Sequence, residues 1–448
     1  METITCDLCV IGAGSGGLSV AAGAVQKGAS VVLLEGGKMG GDCLNYGCVP
    51  SKALIASGKA AHAMHGGLGT QGVTPNTDFA ATRDHVEATI AAIAPHDSQE
   101  RFENLGVRVI REYGAFVTPR EVRAGDALIR ARRFVIATGS SPLVPPIAGL
   151  DDVPYLTNET VFDLRERPDH LLVIGGGPIG REMAQAHRRL GCKVTVIEAQ
   201  RALPNDDPEM TAVVLDKLRT EGIEIAEGAM VESVGGEPGA ITVKAGGGQI
   251  FTGTHLLLAV GRKANIARLN LEAAGIDHDR LIRVDHGLRT TNRRVYALGD
   301  VASAKQFTHV AGYQAGVVIR SALFGLPARA RTDHIPHATY TDPELAQVGL
   351  DEAAARAKYG HRLEVIRFPY SGNDRAIATA KAEGLIKVMV VRGRPVGASI
   401  VGEQAGEMIS IWALVLANRM KMSQVAAMVA PYPTLSEISK RAAGAYFS

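Results

Sequence analysis

Apolar and polar positions along this chain change period at regular places. A short apolar run, Cys9-Val10-Ile11, stops at Gly12-Ala13-Gly14-Ser15-Gly16-Gly17. An alanine-rich segment with helical spacing follows, and Ser30-Val31-Val32-Leu33-Leu34-Glu35 reads as a second strand. Strand, glycine turn, helix, strand is a complete βαβ unit. The pattern recurs from Leu171 to Glu198, with Gly175-Gly176-Gly177-Pro178-Ile179-Gly180 as the turn and Lys193–Glu198 as the second strand. Between the units, residues 111–139 predict short strands with turns at Gly114 and Gly125, ending in Phe134-Val135-Ile136-Ala137-Thr138-Gly139. A second meander, with turns expected at Gly235-Gly236 and Gly246-Gly247-Gly248, leads to Leu256–Gly261. Arg294-Val295-Tyr296-Ala297-Leu298-Gly299-Asp300 is a strand ending in Gly-Asp. From about Pro336 the character shifts to apolar strands such as Leu385–Val391 flanking helices. The segment Glu407–Met420 is apolar nearly all round, which predicts burial, here in a subunit interface.

The pattern predicts an α/β fold with two Rossmann-like nucleotide-binding domains and a C-terminal α+β domain. The Pro-rich stretch Pro142–Pro146 marks one boundary. The expected division is 1–147 and 266–332 for the first nucleotide domain, 148–265 for the second, and 333–448 for the C-terminal domain.

The two glycine turns carry chemistry. Glycines let the backbone approach a pyrophosphate, while the following helix offers oriented N–H donors and partial positive charge. In both units an acid, Glu35 or Glu198, falls 23 residues after the first glycine, where a carboxylate accepts from adenosine ribose hydroxyls.

Charge and hydropathy narrow the alternatives. A net charge of +2 without a run of five like charges lacks the clustered basic footprint of nucleic-acid binding. The longest apolar helical candidate, Met408–Ala417, is far shorter than the roughly 18 residues of a membrane span. The N-terminal apolar segment, broken by glycines and without a basic n-region, does not read as a signal peptide. The expected location is the cytoplasm.

Five cysteines are present: Cys6, Cys9, Cys43, Cys48 and Cys192. Cys6 and Cys9 lie three apart on an apolar strand, which sends them to opposite faces as small buried hydrophobes. Cys192, at another strand start, reads the same way. Cys43 and Cys48 differ. A disulfide across so short a loop is worth only about 2 kcal/mol by chain entropy, so in a reducing compartment its value is chemical. The spacing also sets Cys48 near a helix N-terminus, which favours thiolate.

The run Gly41-x-Cys43-x4-Cys48-x-Pro50-Ser51-Lys52 resembles the active-site signature of the class I pyridine nucleotide-disulfide oxidoreductases, the family of dihydrolipoamide dehydrogenase, glutathione reductase and mercuric reductase. The resemblance covers essentially the whole chain. It continues in Ala137-Thr138-Gly139, Gly180-Arg181-Glu182, Ala259-Val260-Gly261-Arg262-Lys263-Ala264-Asn265, Ala297-Leu298-Gly299-Asp300, and Tyr340-Thr341-Asp342-Pro343-Glu344 with Val348-Gly349.

What the resemblance implies is specific. FAD would meet Gly12, Gly14, Gly17, Glu35, Thr138, Gly139, Gly299 and Asp300, with the N-terminus of the helix starting Thr308-His309 aimed at the flavin. NAD(H) would meet Gly175, Gly177, Gly180, Glu198, Gly261 and Arg262. Lys52 and Glu182 would pair beside the flavin. Cys48 would face the flavin, and Cys43 would exchange with a small-molecule disulfide or other electrophile. The last hundred or so residues would form a homodimer interface and complete the partner's active site. No metal ligand set, nucleic acid or membrane is implied. Glu198 would favour NADH over NADPH, with Arg201 nearby to blunt the preference.

The sequence departs from the family at one position. Thiol-exchanging members place a histidine before a proline near the C-terminus. Here Ala430-Pro431-Tyr432-Pro433-Thr434-Leu435-Ser436-Glu437 puts Tyr432 in that place and keeps its usual orienting partner, Glu437. A phenol with a pKa near 10 donates a proton but is a poor base at pH 7. His337 is the candidate substitute base. The leading expectation is an NADH-dependent disulfide reductase. A mercuric-ion, other metal or quinone reductase is the alternative. A non-catalytic flavin-bound sensor is the alternative of another class, which the combination of both cysteines, Lys52 and Glu182 opposes.

Overall fold

The computed structural model describes residues 2–204 and 206–448. The first βαβ unit forms as its periods dictate. Glu2–Ile11 lies parallel to Val31–Leu34 on one side and to Ala127–Ile136 on the other, with helix Ser15–Val25 crossing between the first two. Arg108–Ile110 and Val295–Ala297 extend the parallel part, and Ala115–Thr118 and Glu121–Ala124 fold back antiparallel. One face of this sheet packs on helices Ser15–Val25 and Thr308–Phe324, and the other on Phe116, Val122, Leu269 and Leu271.

The second unit repeats the plan. Glu224–Ala226, Lys193–Ile197, His170–Ile174 and His255–Leu258 form a parallel sheet, with helix Pro178–Arg189 on it. A three-stranded meander, Val231–Glu237, Ala240–Ala245 and Gln249–Gly253, is attached. Gly235 and Gly236 lie inside the first of these strands rather than in a turn. The reversal falls at Pro238-Gly239, where proline cannot donate to the ladder and Gly239 takes a positive φ of 86°.

Cys6 and Cys9 also depart from expectation, because both pack into one cluster with Ile4 and Ile11. The N–H groups of Asp7 and Leu8 both donate to the Ser30 carbonyl, at 3.1 Å each. The alternation resets there, between the cysteines, while the pairing with Ala127–Ile136 keeps its register. Leu8 and Val10 consequently join the cluster on the other face.

The C-terminal part is a five-stranded antiparallel sheet in the order Pro336–Thr339, Glu344–Gly349, Arg394–Gly402, Leu385–Val391, Leu363–Pro369. Helix Ala405–Ala417 covers it with Met408, Ile409, Trp412, Val415 and Leu416 buried. The opposite side of that helix is open, with Leu414 60% exposed, so all-round burial does not hold within one chain. Among the described residues, no helix is long and apolar enough to cross a membrane.

Trp412 has no exposed surface, and its indole N–H donates to Ser439 Oγ at 3.1 Å. Truncating a buried tryptophan loses its transfer energy and leaves a cavity. Trp412→Ala should therefore cost about 3–5 kcal/mol, read as a lower urea midpoint by circular dichroism. A loss below about 1 kcal/mol would contradict this packing.

Candidate active site

One cavity of about 1840 Å³ runs between the two glycine loops and the start of the C-terminal sheet. Single small-molecule sites span roughly 300–1,000 Å³, so this space suits more than one large ligand. Gly12, Gly14, Glu35, Cys43, Cys48, Lys52, Thr138, Gly139, Gly175, Gly177, Glu182, Glu198, Gly261, Arg262, Gly299, Asp300, Thr308 and His309 all line it.

The two loops are built alike. Gly12 and Gly175 have φ of +105° and +109°, and a Cβ on either would sit 2.4 Å from the carbonyl oxygen of Ala137 or Ala259. A Cβ on Gly17 or Gly180 would lie 1.9 or 2.1 Å from the first glycine's carbonyl. These last two glycines do not line the cavity. They lie beneath the loops, where they let helix and strand approach. Gly14 and Gly177 face open space instead, with no atom closer than 3.9 Å to a Cβ on the former and none within 4 Å on the latter. Each is the N-cap of its helix, without a side-chain cap, so no side chain claims the first N–H groups, which begin at Ser15 in one helix and at Ile179, after Pro178, in the other.

The acids match as well. Glu35 accepts from Ala13 N (2.6 Å) and Gly37 N (2.7 Å). Glu198 accepts from Gly176 N (2.6 Å) and Gln200 N (2.9 Å). Two cradles, each with a fixed carboxylate at its far end, fit two dinucleotides.

Cys43 lies in the one-turn helix Gly41–Asn45, and Cys48 is the first residue of helix Cys48–Ala63. Both are free thiols, and each acts on the other's proton. The Cys43 thiol beside it is the main reason the Cys48 thiol is pulled down to about 6. Burial opposes it, and the Thr308 hydroxyl and the Lys52 charge assist. Thr308 Oγ1 is 3.4 Å from the Cys48 sulfur. Cys43 is pushed up, first by the Cys48 sulfur beside it and then by burial. Lys52 Nζ meets Glu182 Oε2 at 2.8 Å, and Glu182 Oε1 accepts from Tyr340 N at 2.9 Å.

Asp300 accepts from Ser140 Oγ at 2.6 Å, and burial holds its carboxyl above the usual range. Arg262 is committed to the protein. It donates to Ser140 Oγ (2.7 Å) and carbonyl (2.8 Å) and pairs with Asp42 at 2.9 Å. Asn158 also donates to Asp42, at 3.1 Å. His337 lines the same cavity, with Nε2 3.0 Å from Asp206 Oδ1 and its ring stacked on Phe307. Tyr432 and Glu437 do not line it. Tyr432 is 70% exposed, and its hydroxyl donates to Asp374 at 2.9 Å rather than to Glu437. Glu437 accepts instead from Thr434 N at 3.4 Å. Asp42, Ser140, Asn158 and Asp206 come from separate segments, so no local motif marks them.

The chain matches the family model described as pyridine nucleotide-disulphide oxidoreductase over residues 6–315. It matches that family's dimerisation domain over residues 335–443. A mercuric reductase of Lysinibacillus sphaericus is 33% identical, covering 98% of this chain and 82% of the relative. A dihydrolipoyl dehydrogenase of Bacillus subtilis is 30% identical, covering 96% of each. The Cu(II) complex of the HOCl-induced flavoprotein disulfide reductase RclA from Escherichia coli superposes with a TM-score of 0.87 at 28% identity, covering 97% of this chain and 99% of that one.

The thiol geometry has a direct readout. In the dithiol protein, ultraviolet thiolate absorbance should rise with a midpoint at about 6. Cys48→Ser should remove that step. Cys43→Ala should move it to higher pH, since the neighbouring thiol is gone. A step that persists in Cys48→Ser would assign the thiolate to Cys43.

Proposed function

This chain belongs to the pyridine nucleotide-disulphide oxidoreductase family, whose members use FAD and NAD(P)H, and within it we propose that Cys43 and Cys48 reduce a small-molecule disulfide at the expense of NADH. The observation that carries this reading is the pair of free thiols, one at a helix N-terminus, in a cavity reached by both glycine cradles. The first cradle, with Glu35, Thr138, Gly139, Gly299, Asp300, Thr308 and His309, would hold FAD. The second, with Glu198 and Gly261, would hold the nicotinamide nucleotide. Bound FAD supplies the two-electron relay between nicotinamide and sulfur.

The residues then exchange sulfur and protons. Cys43 passes its proton to the Cys48 thiolate and attacks one sulfur of the external disulfide. The external S–S bond breaks, a Cys43 mixed disulfide forms, and the leaving thiolate takes a proton. Cys48 next displaces the second thiol, giving up its proton to it and closing the Cys43–Cys48 disulfide. Lys52, held by Glu182, keeps positive charge beside the Cys48 thiolate. The C-terminal sheet would form the homodimer, with Tyr432 from the partner as the proton donor, and a reducing cytoplasm suits so labile a pair.

A steady-state screen of NADH oxidation with lipoamide, glutathione disulfide, mercuric ion and a quinone tests the reading. A disulfide should be turned over fastest. Turnover of mercuric ion alone would instead favour metal reduction, since a dithiol also takes soft ions.

Two predictions follow from the side chains. Glu198 should favour NADH, because its carboxylate bonds a ribose 2′-OH and repels a 2′-phosphate. A higher kcat/KM with NADPH would refute that role. Asp374 holds the Tyr432 phenol above its usual range, so at pH 7 it is a proton donor rather than a base. The wild type should reduce disulfides faster than it oxidises dithiols. Tyr432→His should raise NAD-linked dihydrolipoamide oxidation by up to roughly 10²-fold, the lower range of general-base assistance. Equal wild-type rates in the two directions near pH 7 would point to another base, with His337 the first to examine.

A further inference from the structure

The second glycine unit carries a charge that the first lacks. In the first unit the residue after Gly17 is Leu18, buried against the sheet. After Gly180 stands Arg181. Its side chain has no exposed surface, and Nε, Nη1 and Nη2 have no hydrogen-bond partner among the described residues. Leucine fills the matching place in the first unit, so packing alone does not call for a guanidinium.

Its surroundings define what the charge acts on. A Cβ on Gly176 would lie 2.5 Å from Arg181 Nη2 and 3.0 Å from Glu198 Oε2. The guanidinium and the carboxylate therefore flank one glycine, Arg181 behind the loop and Glu198 in the cavity wall. Glu227 acts on it somewhat more strongly than Glu198, and Arg219 opposes both. Glu227 is already engaged by Ala202 N (2.8 Å) and Arg219 Nη2 (3.0 Å). A buried guanidinium without hydrogen bonds is costly unless nearby negative charge offsets it.

We propose that Arg181 is a buried counter-charge to Glu198 that sets how the second nucleotide site treats a 2′-phosphate. This rests on the reading of Glu198 as the ribose acceptor. Glu198 alone, fixed by Gly176 N and Gln200 N, would exclude the phosphorylated nucleotide. Arg181 is too deep to touch a ligand. Its field crosses a single glycine through weakly screening protein and cancels much of that repulsion. NADH remains preferred, because Glu198 is nearer the ribose, but NADPH is admitted.

Calorimetric titration of the FAD-loaded protein with 5′-AMP and 2′,5′-ADP separates this charge effect from packing. Arg181→Leu should weaken 2′,5′-ADP by about tenfold, the order of one charge acting over roughly 12 Å at an effective dielectric constant near 20. It should leave 5′-AMP within about twofold, and Arg181→Lys should retain the wild-type ratio. Arg181→Met serves if the leucine variant does not fold. Equal weakening of both ligands, or no change in either, would overturn the proposal. Glu198→Gln should shift the ratio towards 2′,5′-ADP. A ratio unmoved by Glu198→Gln but moved by Arg181→Leu would reject the ribose role of Glu198 and leave the effect of the Arg181 charge standing.

Discussion

The ion pair between Lys52 and Glu182 is the contact on which the rest of the site depends. It joins the helix that begins at Cys48 to the helix that begins at the second glycine loop, at 2.8 Å. Glu182 also takes the backbone N–H of Tyr340, so the start of the C-terminal sheet is fixed to the same carboxylate. The two helices can approach because Gly58 faces Ala186, where a Cβ would meet the Ala186 carbonyl oxygen at 3.2 Å. Lys52 stands over the Tyr340 ring at 4.3 Å, which leaves its charge directed along the cavity wall. Removing Glu182 would free the lysine and uncouple three segments at once.

A second set of charges holds the nucleotide-binding unit against the C-terminal sheet. Arg189, almost fully buried, reaches Glu221 at 2.6 Å and Asp342 at 2.9 Å. Lys387, equally buried, meets Asp207, Glu209 and Glu352. Glu352 is held down at about 2: burial opposes this, and Arg356, Lys387 and Arg367 overcome it. Its share of stability is therefore complete above the ordinary glutamate range and is lost as pH falls through about 2. Asp206 beside this web holds His337, so the loop after Glu198 is fixed to the sheet on both sides.

The two cradles were legible in the sequence because their physics is local. A positive-φ glycine, a helix N-terminus and an acid at a set distance all fall within one βαβ unit, and Cys48 at its helix start is equally local. What escaped was set by packing between distant segments. The break in alternation at Asp7 and Leu8, which brings Cys6 and Cys9 into one cluster, lies where both N–H groups meet the Ser30 carbonyl. Gly17 and Gly180 carry the glycine signature yet serve the helix–strand approach beneath the loops. The pairing of His337 with Asp206, and of Tyr432 with Asp374, joins residues 131 and 58 positions apart. Arg181 occupies a position whose periodicity says only that it is buried. The charge and its missing partners become visible once Gly176 and Glu198 are seen on the same side of it.

Electrons from NADH should arrive at Cys43 and Cys48. Anaerobic addition of one equivalent of NADH to the oxidised FAD-loaded protein, followed by thiol counting in denaturant, tests it most directly. The wild type should gain two thiols per chain, and Cys43→Ser should gain none. Consumption of the NADH with no new thiol in the wild type would contradict the account.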